Sequence, residues 1–166
     1  MSVKLTNQGG SRFDGNGGSA LHGNQQIGRL HAQPPDAAAI GKLLQAARQN
    51  LADARVEQIS ANNRFDAAYK CILQCAMLGL WANGWRTSTS QPGHHQTAIQ
   101  TLDQTLGVDK PDLIALDALR RQRNLSDYEG DPVAAATLQA ALQAADKLLV
   151  HAEGWLRQHH PEWKLA

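Results

Sequence analysis

The chain has little of what usually announces a function. Its only two cysteines, Cys71 and Cys75, stand one helical turn apart. Their side chains share a face, but one continuous helix is a poor frame for a disulfide and no other cysteine is present to pair with. They are expected to be small buried residues of a reduced protein. Charge of one sign is lacking too, because 16 Lys and Arg against 15 Asp and Glu leave +1 with the histidines neutral. That argues against a broad electrostatic surface for DNA, RNA or membrane and leaves local patches such as Arg120, Arg121 and Arg123. No apolar run approaches membrane length, and the N-terminus lacks the apolar core of a signal peptide, so a cytoplasmic location is expected. Strand signals are absent throughout. With 166 residues the chain is still long enough for one domain with a real core and an extension.

The extension lies at the start. Residues 1 to about 35 hold seven of the fourteen glycines, many Asn and Gln, and almost no periodic apolar residues. Such a segment cannot bury enough surface to offset its ordering entropy, so a disordered, flexible tail is expected over 1–35. Gly15-Asn16-Gly17-Gly18 is not a phosphate loop: it follows no strand, lacks the Gly-Lys-Ser/Thr ending and has the wrong spacing. Pro34-Pro35-Asp36 closes the tail, with Asp36 placed to cap a helix.

Everything from 36 to 166 reads as helix. A first helix, about 36–59, repeats Ile40, Leu44, Ala47, Leu51 and Ala54 on one face. Ser60-Ala61-Asn62-Asn63 supplies turn and cap residues for a second, about 62–84, which is apolar nearly all round and is expected at the centre of the fold. A shorter helix over about 94–106 is ended by Gly107. Asp109-Lys110-Pro111 opens a fourth that runs to about Tyr128, where Gly130 fits the left-handed C-terminal position. The fifth, about 132–159, repeats Leu138, Leu142, Ala145, Leu149, Ala152 and Leu156. The expected fold is all-α, an antiparallel bundle of about five helices.

Chemistry-bearing residues are few. In the fourth helix the stripe of Leu113 and Leu116 continues in register into Arg120, Arg123, Asn124 and Asp127. A face that buries leucines carries the next residues toward the same interior or a cleft, and burying a guanidinium there is costly without partners. The bland alternative is a solvated helix end in which Asn124 and Asp127 make local hydrogen bonds. His94-His95 opens the third helix and is a candidate for a shared cleft. No Cys or acidic partner stands at zinc-like spacing, so neither metal nor cofactor is expected. His159-His160 reads as a solvated helix end, and Trp155 and Trp163 as packing residues.

The order of these features carries a resemblance over nearly all of residues 36–158. A long helix precedes Arg64-Phe65-Asp66-Ala67-Ala68-Tyr69 at the start of an apolar helix. A loop then leads to Gly93-His94-His95, and Arg123-Asn124-Leu125-Ser126-Asp127-Tyr128 ends a later helix. This resembles the HEPN superfamily of small helical bundles, named for higher eukaryotes and prokaryotes nucleotide-binding. The resemblance implies a homodimer with the Arg-bearing helices facing each other, and an RNA or nucleotide ligand. It also implies a role in a toxin–antitoxin or defence-type system beside a nucleotidyltransferase or antitoxin. The family's ribonuclease signature is Arg, a polar residue, a few positions, then His. Arg123 and Asn124 match its first two positions, Tyr128 stands where the His would fall, and no histidine follows until His151. An unperturbed tyrosine, with a pKa of about 10, is a poor base at neutral pH, so degenerate or weak nuclease activity is expected. Three readings follow: a protein binding RNA or a nucleotide through an Arg-lined dimer cleft with Arg120, Arg123, Asn124, Asp127, His94 and His95; an active ribonuclease toxin using Arg123 with Tyr128 or a remote His; and a non-catalytic dimeric scaffold.

Overall fold

The computed structural model describes residues 17–26, 28–90 and 92–165. Helix formation begins where the sequence supplies a cap. Asp36 is the N-cap of α2 (Ala37–Ala54), and its Oδ1 accepts the amides of Ala38 and Ala39 at 3.0 and 3.2 Å. Ile40, Leu44, Ala47, Leu51 and Ala54 are all buried on one face. The helix stops short of the expected end near residue 59 because Arg64 Nε donates to the Ala54 carbonyl at 2.8 Å, satisfying one of the acceptors a helix end leaves open.

That arginine lies in α3 (Ala61–Ala82), where the Ser60 hydroxyl accepts the Asn63 amide at 3.3 Å. Phe65, Ala68, Tyr69, Ile72, Cys75 and Leu78 are buried, and so are Cys71, Ala76, Gly79 and Leu80. The helix is central, packing on α2 and on the elements described next. Both thiols are free. The hydrogen bond with Cys71, and then burial, hold the Cys75 thiol well above its ordinary value, so it stays protonated and inert.

The helix expected over 94–106 is two, α4 (His94–Gln100) and α5 (Leu102–Thr105). Thr101 separates them by turning its hydroxyl back onto the carbonyls of Thr97 (2.8 Å) and Ala98 (3.2 Å), which competes with the helical ladder. Gly79 lets this region approach α3: a Cβ there would stand 2.8 Å from Thr105 Oγ1 and 2.9 Å from Leu106 Cγ. Then follow α6 (Lys110–Glu129), closed by Gly130 at φ +70°, and α7 (Ala135–His159). α7 starts later than expected because the Val133 amide donates to Asn62 Oδ1 at 2.9 Å, tying the α6–α7 connection to the start of α3. At the end of α7 Trp155 stacks on His159 at 4.3 Å, and just beyond it His160 stacks on Trp163 at 3.7 Å, so this helix end is more packed than its composition implies. The chain is an all-α helical bundle in which α3 contacts α2, α4, α5, α6 and α7.

The expectation of a disordered tail over 1–35, and of no strand anywhere, needs correction for the described part. Residues 1–16 lie outside the described residues. Gly17–Gln26 form a helix, α1, and Leu30–Ala32 a strand, β1, antiparallel to β2 (Trp85–Thr87), with Leu30 opposite Thr87, His31 opposite Arg86 and Ala32 opposite Trp85. The ribbon is fastened at both ends, by the Gln33 amide on the Gly84 carbonyl and the Ser88 amide on the Arg29 carbonyl, each at 2.9 Å. Leu30 is its anchor, 2% exposed within the core. A three-residue strand is too short to display alternation, and its partner lies far along the chain, so local patterning could not reveal it. Leu30→Ala is therefore expected to cost about 2–3 kcal/mol in urea unfolding. A loss below about 0.5 kcal/mol would mean that the segment before Pro34 does not contribute to the fold.

Candidate functional site

α6 positions the candidate residues, and helical geometry sorts them. Leu116 and Leu119 are buried, with Asp117 between them at 4% exposure. One turn on, the Arg120 side chain is 14% exposed, and Arg123 is 30% exposed. The expected stripe thus holds as far as Arg123. Beyond it Asn124 and Asp127 are exposed, and Tyr128 is 90% exposed. Successive residues turn by about 100°, which points positions 124 and 128 away from the bundle, while Asp127 stays at the rim. There Asp127 Oδ2 lies 3.3 Å from Arg123 Nη1.

Asp117 is a carboxylate beyond those expected from the sequence. It accepts Arg120 Nε at 2.8 Å and Arg121 Nε and Nη2 at 3.2 and 2.8 Å. Arg121 is 70% exposed but folds back onto this carboxylate. Burial alone would raise the Asp117 carboxyl, but the hydrogen bonds and charges of both arginines outweigh it and hold it below the usual range. The spacing that signals this cluster, an acid three and four residues before two arginines, is present in the sequence.

Arg123 enters a cleft of about 520 Å³ with walls from four helices: Asn50 of α2, Asp66, Tyr69 and Lys70 of α3, His95 of α4, and Arg123 itself. Its guanidinium carbon sits 5.1 Å from the centroid of the Tyr69 ring, within cation–π range. Asp66 Oδ1 is 3.8 Å from Arg123 Nε, an ion-pair distance too long for a hydrogen bond. Two buried polar atoms of the cleft wall, Arg123 Nε and the Tyr69 hydroxyl, have no hydrogen-bond partner among the described residues. His95 brings its ring to 6.4 Å from that of Tyr69, and His94 packs edge-on against His95 at 4.4 Å without lining the cleft.

The electrostatics give each group a definite state. Burial first, then the charges of His94, Arg123 and Arg120, lower the His95 value, so its imidazole is neutral at pH 7. Burial raises the Tyr69 value against the pull of Arg123 and Arg120, so its hydroxyl remains a donor. Asp66 is raised by burial and, to a lesser extent, by Asp127, with Arg123 and Lys70 opposing. The cleft therefore offers a fixed cation, a neutral hydroxyl donor and a neutral imidazole, beside the Asp66 carboxyl. Among the described residues no three His, Cys, Asp or Glu side chains are placed to hold a metal ion.

Of the candidates, Arg123 and His95 meet in the cleft, Arg120 stands beside it on Asp117, and Asp127 lies at its rim. Asn124 and Tyr128 face away. Sequence reasoning did not assign Tyr69 or Asp66 to the site, since both lie on α3, and only the α3–α6 packing brings them to Arg123. Fold and site together define a helical-bundle protein with a polar inter-helix cleft. No family model, no curated protein and no solved structure matches the chain. No helix among the described residues is long and apolar enough to cross a membrane.

Proposed function

We propose that this is a HEPN-type protein that binds RNA or a nucleotide through the Arg123 cleft. The observation that carries the reading is the pair of donors without a hydrogen-bond partner, Arg123 Nε and the Tyr69 hydroxyl, on the wall of a cleft that also holds His95. A buried donor without a partner costs about 1–3 kcal/mol, and a phosphate supplies the acceptor oxygens that would recover it. The protein acts as a homodimer in a toxin–antitoxin or defence-type system beside a nucleotidyltransferase or antitoxin. Support for the dimer comes from the outer face of α6, where Ile114, Ala118, Arg121, Leu125 and Tyr128 recur at coiled-coil spacing. Ile114, Leu125 and Tyr128 are 67%, 51% and 90% exposed. On this reading Tyr128 belongs to the partner-facing stripe rather than to catalysis. A second reading, RNA cleavage, is favoured by the neutral His95 in the same cleft, which supplies the base that Tyr128 cannot.

Arg123→Lys tests the proposal, because lysine keeps the charge but not the two parallel N–H bonds. Binding of a single-stranded RNA is expected to weaken about tenfold or more, with Arg121→Lys near wild type. Equal effects from the two substitutions would mean that the arginines are only a solvated cluster. Light scattering on the same samples should give twice the 18.0 kDa of one chain. If Arg123→Lys unfolds the protein or splits the dimer, the scaffold reading replaces the binding one.

A further inference from the structure

A second cationic group stands apart from that cleft. Trp81 lies more than three turns beyond Tyr69 on α3, about 18 Å along the axis. Over its ring, 3.4 Å from the centroid, sits the guanidinium carbon of Arg86 from β2. Stacking on the ring face occupies the flat side of a guanidinium and leaves its N–H edge available for hydrogen bonds. Among the described residues no carboxylate lies within ion-pair distance of Arg86, and no side chain or carbonyl accepts a hydrogen bond from it. The acid that bears on it electrostatically is Asp36, whose Oδ1 already accepts two amides of the α2 N-terminus.

Arg86 also lines a groove of about 410 Å³, together with His31, Gln33, Thr87, Ser88, Thr89 and Ser90. None of these is acidic. His31 stands directly opposite Arg86 in the ribbon register, so the two side chains share one face. The Ser88 and Ser90 hydroxyls are 2.8 Å apart. Only one of them can donate along that line, so the other keeps its proton for a further acceptor. The backbone beneath is held by the Gln33 and Ser88 amide bonds already described, so the groove is built on a closed ribbon.

We infer that this groove is an oxyanion site, taking a phosphate group between the Arg86 guanidinium and the hydroxyls of the Ser88–Ser90 loop. A carboxylate has two oxygens, which a guanidinium fork satisfies alone, whereas a tetrahedral phosphate has oxygens left over for the hydroxyls and for His31 or Gln33. Burial lowers the Arg86 value, which accords with a guanidinium held partly out of water. The site is independent of the Arg123 reading and stands whether or not that cleft binds RNA.

The test is a titration of the full chain with inorganic phosphate, followed by backbone and arginine side-chain NMR shifts, with acetate and chloride at matched ionic strength. Phosphate should move Arg86 Nε and the 88–90 amides in one saturating process, while acetate and chloride leave them in place. Arg86→Lys should weaken phosphate binding about tenfold, Ser90→Ala by a few-fold, and Arg123→Lys not at all. Ser90 is exposed, so its substitution keeps the test open should a change at Arg86 disturb the ribbon. Equal responses to acetate, or shifts confined to the Arg123 cleft, would overturn the assignment. So would undiminished binding by Arg86→Lys.

Discussion

Asp117→Ala is expected to lower the free energy of unfolding by about 3 kcal/mol. Asp117 is 4% exposed and satisfies two arginines. Removing it leaves Arg120, whose side chain is 14% exposed, as a nearly buried guanidinium with its closest anion gone. That desolvated charge, rather than the lost attraction, sets the size of the effect. Arg121→Ala makes the contrast: its side chain is 70% exposed and Asp117 keeps its bond from Arg120, so its loss should cost under about 1 kcal/mol. The same cluster imposes a pH dependence. The folded Asp117 carboxyl lies below its ordinary 3.8, so its contribution is fully present above that value. It is lost as pH falls from there through the lower folded value. Urea unfolding of wild type and Asp117→Asn should accordingly converge toward acid and diverge toward neutrality. If Asp117→Ala loses less than about 1 kcal/mol at pH 7, Arg120 reaches water by a route the packing does not indicate.

His95→Ala is expected to reduce whatever RNA cleavage the purified protein supports by about 10²-fold, the usual contribution of a positioned acid–base group. Tyr128→Phe should leave the rate within about twofold, because a side chain 90% exposed on the outer face of α6 cannot reach a substrate seated on Arg123. The pH profile separates a proton-transfer role from a packing one. A base whose value is lowered by burial and by neighbouring cations is deprotonated already below pH 6.5. Activity should rise with pH to a plateau reached earlier than an ordinary histidine allows. Stability is tied to the same group: a folded value below 6.5 means that protonation favours the unfolded chain, so stability falls as pH drops through that window. Cleavage by His95→Ala at the wild-type rate with an unchanged profile would assign the residue to packing alone.

The helices were legible because their signals are local. Asp36, Ser60 and Gly130 stand within a residue of the ends they cap, and the stripe of Ile40, Leu44, Ala47 and Leu51 names its own buried face. Breaks imposed by distant groups were not legible. Arg64 ends α2 early, Asn62 delays α7, and the Thr101 hydroxyl divides a helix that composition alone would continue. The described part of the N-terminal region departs from its local composition for the same reason. Its glycines and amides describe local flexibility, whereas Leu30 is held by a core and a strand contributed from far away.

By itself the sequence determined that this is a helical chain with one nearly all-apolar helix at its centre, and that Arg120 and Arg123 lie on an inward stripe of a later one. Those are consequences of period and capping, which each segment carries independently of its neighbours. Only the tertiary structure decided which residues meet. Packing of α4 and α6 against α3 sets His95, Tyr69 and Asp66 around Arg123, while leaving Tyr128 outside. The turn of α3 into β2 likewise lays Arg86 on Trp81. Sequence spacing specifies direction around a single helix axis, but the distance between two helices follows from the core that both of them bury, and that core is a property of the whole chain.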